Sequence, residues 1–549
     1  MLFLAFERFH IIDFLNPPCY FDSRYNKEKT LIRELTLYKT LKNAFIGLNT
    51  RYKLANGKTA RRVYLDSGAS TLMMKPANDA VQSYLAHYAN THTTVHTSAK
   101  ITSTTMTWAY NRVLDFVGAD RNEYLCAFLG SGTTAAANRV ADGLANLRPE
   151  KDVVLISSME HHSNDLSHRA YSKTVEHIPL TGSGLLSGQV CIEGLKKLLE
   201  QYKNRVNYVA ITGVSNVTGI INPIQEIAEL VHRYDAYLVV DGAQMVAHMP
   251  VAMNTTDIDF FLFSGHKIYA PGSPGVLIGK RSIVDAMKPF QFGGGMVESV
   301  SKWGYVLSDD PLEREHAGTP NIPGAITLAC ALESLSRVGM QTIFEKEREL
   351  IQYTLKKLET CRTSIIYGEQ QSLRVASIAF NLKGIGHGLV AAILNDYHGI
   401  AVRNQCFCAH PYVQEMLIEE IEELACEDLD NDALEELIQD HRGMVRASFG
   451  LYTTEEDINA LVNALINIED NIDTYKTHYD KKKDGSYSHK TFGSDTQQYF
   501  SIVDELEKCL LNDAEQKIHS NSENLGKDKE DKEGKKDEKY KPHIKGVTV

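Results

Sequence analysis

The sequence predicts an α/β fold: a large unit built on a mostly parallel sheet covered by helices, followed by a smaller α+β unit. Three observations predict it. Between about residues 61 and 336, short apolar runs alternate with stretches of helical periodicity. The runs Val153–Ser157, Tyr208–Thr212, Tyr237–Val240 and Phe260–Phe263 are apolar nearly throughout instead of alternating. That pattern marks strands covered on both faces. Polar clusters follow the runs, and ligands in such sheets bind beyond the carboxyl ends of the strands.

The elements follow in order. Residues 1–60 read as an N-terminal extension with one helical stretch near Leu31 to Leu48. Residues 61–336 form the large unit. Residues 337–474 form the smaller unit, with Ser377–Asn381 and Val445–Phe449 as strands. From 475 to 549 the periodicity fades into a charged tail. Its stretch Lys527 to Lys539 contains only Lys, Asp, Glu and Gly and predicts disorder. Glu415 to Asp440 is acidic, without a single Lys or Arg. It reads as a solvated helical hairpin, or as a guide for a basic partner protein. No internal repeat is present.

Composition bounds the function. The chain of 549 residues can carry two core-bearing units. A hydrophobic content of 43% and a charged content of 23% are ordinary for a soluble globular chain. The net charge of -12 argues against nucleic acid as a partner. No uninterrupted apolar run of about 18 residues occurs, so no membrane span is expected. Glu7, Arg8, His10 and Asp13 interrupt the start, which does not read as a signal peptide. Nine scattered cysteines suit the reducing cytoplasm.

Two strings carry the chemistry. Asp241-Gly242-Ala243-Gln244 ends one apolar run, and Ser264-Gly265-His266-Lys267 ends another. Together they supply an acid, an amide, a hydroxyl, an imidazole and an amine. Pyridoxal phosphate requires such groups. Lys267 would form the Schiff base, and Asp241 would keep the ring nitrogen protonated so that the ring accepts electrons. Ser264 and His266 can hold the phosphate. Upstream, the string Gly130-Ser131-Gly132-Thr133-Thr134 opens an Ala-rich stretch. Glycines there let the backbone approach an anion at a helix N-terminus, with Thr133 and Thr134 beside it.

These strings resemble the class V aminotransferase family, and within it the group II cysteine desulfurases and selenocysteine lyases. The resemblance runs from about Tyr64 to about Asp457. It is also carried, in the family's order, by Tyr64-Leu-Asp-Ser-Gly-Ala-Ser, Met159-Glu-His-His, Ser215-Asn-Val-Thr-Gly, Gly293-Gly-Gly, Ala317-Gly-Thr-Pro-Asn and Val445-Arg-Ala-Ser. It implies the fold type I architecture of pyridoxal phosphate enzymes, with a seven-stranded sheet. It implies that His161 stacks on one ring face and moves protons, with His162 the weaker candidate. Ala243 packs on the other face. Gln244 reaches the phenolic oxygen of the ring, and Asn216 holds that oxygen or the substrate carboxylate. Gly293-Gly-Gly and Thr319 match segments that hold the neighbouring subunit's phosphate, which implies a homodimer.

The resemblance also bears on the reaction. Arg446 matches the family's substrate-carboxylate arginine, and a guanidinium fork suits a carboxylate. Arg403 is a second candidate. Ala401–Pro411 aligns with the family's cysteine loop, and Cys408 takes the position of the nucleophile. A desulfurase would convert L-cysteine to L-alanine, leave a persulfide on Cys408 and pass sulfur to an acceptor. Selenocysteine is an alternative substrate. The acceptor is open: iron–sulfur assembly, thiolated RNA, a cofactor or a carrier protein.

The sequence departs from the family in places. Cys406 is an extra thiol, and Cys-Phe-Cys is also similar to the desulfurase-like part of molybdenum-cofactor sulfurases. The pair could relay sulfur or form a disulfide. Two cysteines make a poor metal site, so no metal is expected. Gly68 stands where the family usually has Ala, which reads as a mild change. Two rival readings stay open: an aminotransferase or epimerase without a cysteine nucleophile, and a degenerate fold that serves as a scaffold.

Overall fold

The structure is a computed structural model that describes residues 23–91, 93–425, 441–483, 485–493 and 495–511. The expected disorder of 527–539, the first 22 residues and the part of the acidic run at 426–440 lie outside the described residues. Two compact units are present, one ending at His489 and the other starting at Lys490.

The first unit contains a seven-stranded sheet and a four-stranded sheet. The large sheet comprises β1 (Tyr124–Leu129), β2 (Val153–Ser157), β3 (Thr174–Ile178), β4 (Val206–Thr212), β5 (Tyr237–Asp241), β6 (Phe260–Ser264) and β7 (Gly275–Lys280). Their spatial order is β1-β7-β6-β5-β4-β2-β3. Pairings between β6, β5, β4, β2 and β3 are parallel, and only β7 runs against its neighbours. Six strands therefore end on one edge.

Alternate residues of one strand enter different cores. Phe261 and Phe263 join the core on one face of the sheet. Phe260 and Leu262 join the core on the other. This is the period of two expected of a strand, with both faces apolar. Each fully buried phenylalanine contributes roughly 2–3 kcal/mol through burial.

The small sheet comprises β8 (Ser364–Ile366), β9 (Ser377–Leu382), β10 (Arg403–Gln405) and β11 (Met444–Ser448). It is antiparallel, in the order β8-β9-β11-β10. The helices Met340–Leu358 and Glu455–His478 pack on each other beside it.

Three boundaries differ from the sequence reading. The first helix runs Ser23–Lys42, earlier than the stretch at Leu31 to Leu48. Its end and the chain after it are part of the large core, where Leu41 and Phe45 are buried. The small lobe also takes residues from the start of the chain. Val63–Tyr64 pairs with Ile400–Ala401, and Val63 and Leu65 are buried with Phe380 and Val445. The folded chain also continues past Thr474. The last long helix reaches His478, and a hairpin pairs Tyr479–Lys481 with Tyr487–His489. Polar hairpins of this kind carry little apolar periodicity, so the sequence reads as fading there.

The second unit holds a short 3-10 turn at Thr496–Gln498 and a helix over 502–511. Ile502, Val503, Leu506 and Leu510 are exposed on it.

Candidate active site

The carboxyl edge of the large sheet forms the floor of a cavity of about 480 Å³. The polar strings identified above follow five of the strands that end there. After β1, the helix Gly132–Leu147 begins without a side-chain cap at Ser131. Its first N–H groups therefore face the cavity end of the helix, where the dipole favours an anion. Gly132 has a φ of 61°, and a Cβ there would stand 2.5 Å from Ser264 Oγ. Only glycine fits this approach. Thr133 donates its N–H to Ser264 Oγ at 2.7 Å, and the two hydroxyls lie 2.8 Å apart. Thr134 Oγ1 lies 2.6 Å from Ser163 Oγ.

Lys267 sits in a 3-10 turn directly after β6. Burial pushes its amine below the ordinary lysine range, opposed by the nearby Asp241 carboxylate. Asp241 ends β5, is buried, and accepts the Ala243 N–H at 2.9 Å. Burial raises its carboxyl, while Lys267 and the Ala243 N–H lower it.

His161 precedes the helix His162–Tyr171 and caps it: Nδ1 accepts the Ser163 N–H at 3.1 Å. Its ring proton therefore resides on Nε2. Burial, with Lys267 nearby, pushes the imidazole down to about 3, so the ring is neutral at working pH. His266 is likewise pushed down to about 4, chiefly by burial. A neutral His266 can only donate one ring N–H to a phosphate.

The opposite wall comes from the small lobe. Arg446 on β11 is almost fully buried. Its Nη1 donates to Asn216 O at 2.8 Å and its Nη2 to Asp66 Oδ1 at 3.3 Å. The Phe407 ring covers the guanidinium, 4.9 Å from ring centre to Cζ. Arg403 lines the same wall, 3.9 Å from Asp66 Oδ2.

Cys408 is exposed and lines the cavity, whereas Cys406 is buried and points its Sγ to Arg442 O at 3.4 Å. The loop between them is fastened to the large lobe. Asn216 Nδ2 donates to Phe407 O at 2.8 Å, and the His162 N–H donates to Cys408 O at 2.7 Å. Gln405, Phe407 and Cys408 have φ of 87°, 52° and 57°.

Of the expected residues, Thr133, Thr134, His161, Asn216, Asp241 and Ala243 line this cavity. Ser264, His266, Lys267, Arg403, Cys408 and Arg446 line it too. Two do not. Gln244 is buried behind the wall, and its Nε2 donates to Gly68 O at 2.7 Å. That amide hydrogen bond braces the chain turn at Gly68. Thr319 is exposed elsewhere and accepts from Asn90 Nδ2 at 3.0 Å.

The sequence reading missed several contributors. Asp66 stood in the Tyr64-Leu-Asp string as an acid among small residues, and pairing two arginines to it requires the tertiary fold. Gly68 packs closely against this wall. A Cβ there would stand 3.1 Å from Ser448 Oγ and 3.2 Å from Arg446 Cζ. Next to the cysteine loop, His410 Nδ1 lies 3.0 Å from His162 Nε2, with the rings stacked.

The site's parts have counterparts among known proteins. Residues 63–461 match the class-V aminotransferase family. A probable cysteine desulfurase of Halalkalibacterium halodurans is 35% identical over 410 residues, covering 73% of this chain and 92% of the relative. A cysteine desulfurase of Shigella sonnei is 36% identical over the same length, with the same coverage. Among solved structures, the apo cysteine desulfurase of Thermococcus onnurineus NA1 superposes with a TM-score of 0.65 at 30% identity, over 74% of this chain and 94% of that one. A cysteine desulfurase of Escherichia coli superposes with a TM-score of 0.64 at 28% identity, over 79% and 98%. No helix among the described residues is long and apolar enough to cross a membrane. With its sheet order, its lysine and acid at adjacent strand ends, and this match over most of its length, the chain belongs to the class-V aminotransferase family.

Proposed function

We propose that this chain is a pyridoxal-phosphate-dependent cysteine desulfurase. It takes L-cysteine, leaves a persulfide on Cys408, releases L-alanine and passes the sulfur to an acceptor. One observation carries the reading: a solvent-accessible thiol, Cys408, lines the same cavity as Lys267, Asp241 and Arg446. The names of the relatives support it, and selenocysteine fits the same groups.

The residues suit the cofactor. The close approach of Gly132 to Ser264 leaves a cradle that any Cβ would fill. The helix N-terminus, Thr133, Ser264 and His266 would hold the phosphate. Lys267 would bind the aldehyde carbon, and Asp241 would face the ring nitrogen. His161 and Ala243 would flank the ring. When bound, the ring withdraws electrons from the substrate and weakens its Cβ–S bond.

The chain's own groups do the rest. Arg446 binds the substrate carboxylate, with Asn216 O and the Phe407 ring fixing the guanidinium. Lys267, its amine held below the usual range, takes and returns a proton at the substrate carbons. The Cys408 thiolate attacks the substrate sulfur. The Cβ–S bond breaks, an S–S bond forms on Cys408, and the freed carbon takes a proton. L-cysteine and one thiol thus become L-alanine and one persulfide.

A homodimer is part of this proposal. The hairpin pairing Val297–Val300 with Tyr305–Leu307 displays Val300, Trp303 and Tyr305, with Trp303 94% exposed. Exposed apolar surface of this kind marks an interface. The cysteines are free among the described residues, which suits a reducing compartment such as the cytoplasm.

The test is to incubate the full chain with L-cysteine and a reductant and to measure alanine and sulfide together. Equal amounts are expected, lost in Cys408→Ala while cofactor absorbance persists. Absorbance with an amino-acid reaction that survives Cys408→Ala would instead mean an aminotransferase or epimerase.

A further inference from the structure

One hydroxyl clasps the turn that carries Lys267. Thr71 Oγ1 donates to His266 O at 3.0 Å and accepts the Tyr269 N–H at 2.7 Å. A hydroxyl has one proton to give and lone pairs that accept, so a single group makes both bonds. They engage the carbonyl just before Lys267 and the amide two residues after it. The Thr71 N–H also donates to His266 O at 3.0 Å, and the Ser70 hydroxyl does so at 3.3 Å. Thr71 is buried and does not line the cavity.

The clasp holds a backbone that would not keep this shape alone. Tyr269 has a φ of 65°, in the left-handed region that bulky side chains avoid. Such a residue persists only where its surroundings over-determine it. Tyr269 is fully buried, and its carbonyl accepts the Met74 N–H at 3.0 Å. Its hydroxyl accepts the Leu451 N–H at 2.9 Å, and its ring packs on Phe45 with centres 5.1 Å apart. The Thr71 hydroxyl is the group that spans Lys267 itself. Deleting it leaves the Tyr269 N–H buried without its acceptor, which is costly.

We propose that Thr71 is a positioning residue for Lys267: it fixes the direction in which the lysine stem leaves the backbone, and so where the amine stands in the cavity. This rests on the reading of Lys267 as the residue that binds the cofactor aldehyde. The four-carbon stem is flexible and starts from one Cα–Cβ bond, so a tilt of the turn is magnified at the amine. A misplacement of about 1 Å among reacting groups costs about a hundredfold in rate. The substrate carboxylate is bound on the other wall, at Arg446. A loosened turn therefore slows the chemical step and spares KM.

The experiment uses the full chain reconstituted with pyridoxal phosphate, as wild type, Thr71→Val and Thr71→Ser. One readout is the visible circular dichroism of the bound cofactor, which reports how rigidly the ring is held in its asymmetric pocket. The other is kcat and KM for alanine formation from L-cysteine. Thr71→Val is expected to lose about threefold or more in dichroism per bound cofactor and about tenfold in kcat, with KM within about twofold. Thr71→Ser keeps the hydroxyl and is expected to restore both. Thr354→Val removes another buried hydroxyl, one that bonds Leu350 O within its own helix and does not line the cavity. It is expected to leave both readouts unchanged, which a merely structural role for Thr71 would not distinguish. Thr71→Ala carries the test if Thr71→Val does not fold, since it puts no methyl group against His266 O. Dichroism and kcat within about twofold of wild type in a folded variant without the hydroxyl would overturn the proposal. So would a Thr71→Ser variant as impaired as Thr71→Val, or a Thr354→Val variant impaired alike. A wild type without a visible cofactor band would overturn the reading of Lys267 instead. A band without sulfide from L-cysteine would overturn only the desulfurase reading, and the dichroism would still decide for Thr71.

Discussion

Asn216 joins the two lobes at the thiol: its Nδ2 donates to Phe407 O while its own carbonyl accepts from Arg446, both at 2.8 Å. One residue thereby holds both the cysteine loop and Arg446. In Asn216→Ala the carbonyl stays and the side-chain bond is lost. A buried hydrogen bond is worth about 1 kcal/mol. Sulfide formation is expected to fall about tenfold, with faster hydrogen exchange over residues 405–409. Unchanged exchange in that loop would refute the clamp.

Gly68→Ala brings a methyl group into contact with Arg446 Cζ and Ser448. Both neighbours are buried and must give by a few tenths of an ångström. The arginine is displaced, so substrate binding suffers more than the chemical step. KM for L-cysteine is expected to rise roughly fivefold, with kcat changing less. Steady-state kinetics with an unchanged KM would show that the wall accommodates the methyl.

His168 makes stability depend on acid. It is fully buried, with Nε2 3.0 Å from Asn164 Oδ1 and Nδ1 2.9 Å from the Tyr208 hydroxyl. Burial pushes its imidazole down to about 3. In the unfolded chain the same group takes a proton near the usual histidine value of about 6.5. Between these two values the unfolded state binds the extra proton. Stability therefore falls as pH drops below about 6.5, by up to about 1.4 kcal/mol per pH unit from this group. Urea unfolding at pH 6.5 and pH 5 is expected to show a smaller loss in His168→Gln than in wild type. Equal losses would mean that another group carries the acid sensitivity.

Trp303→Glu tests the dimer. The indole is 94% exposed at the tip of a hairpin that also exposes Val300, Tyr305 and Val306. A charge at the centre of a contact between two copies costs the unpaired desolvation of that charge. Sedimentation velocity is expected to give a dimer for wild type and a monomer for the variant, with weaker cofactor retention in the monomer. A monomeric wild type would remove this part of the proposal.

The cavity was legible in the sequence where its residues follow strands. Asp241, Lys267 and Thr133 sit within a few residues of apolar runs, and parallel strands must deliver such residues to one edge. Asp66 was not legible as a partner of Arg446. Its role depends on Val63 and Leu65 joining the core of the small lobe, and two residues of strand carry no periodicity to read. The hydrogen bond of Gln244 was not legible either, because Gly68 O comes close to it only through the fold. Thr319 lies outside this cavity, where its hydroxyl accepts from Asn90 Nδ2, a contact between residues far apart in the sequence. The hairpin after His478 was lost to the eye because its strands are short and polar.

The three left-handed residues of the cysteine loop have a mechanical consequence. Residues with side chains held at positive φ cost of order 1 kcal/mol or more each. Gln405, Phe407 and Cys408 all do so within four positions, while two hydrogen bonds from the large lobe keep them there. The loop is thus a loaded spring behind a light catch. Letting go of the catch returns the stored strain, which offsets the lost hydrogen bonds. The contacts with the large lobe, and not the loop's own backbone preference, therefore hold the thiol at the cavity.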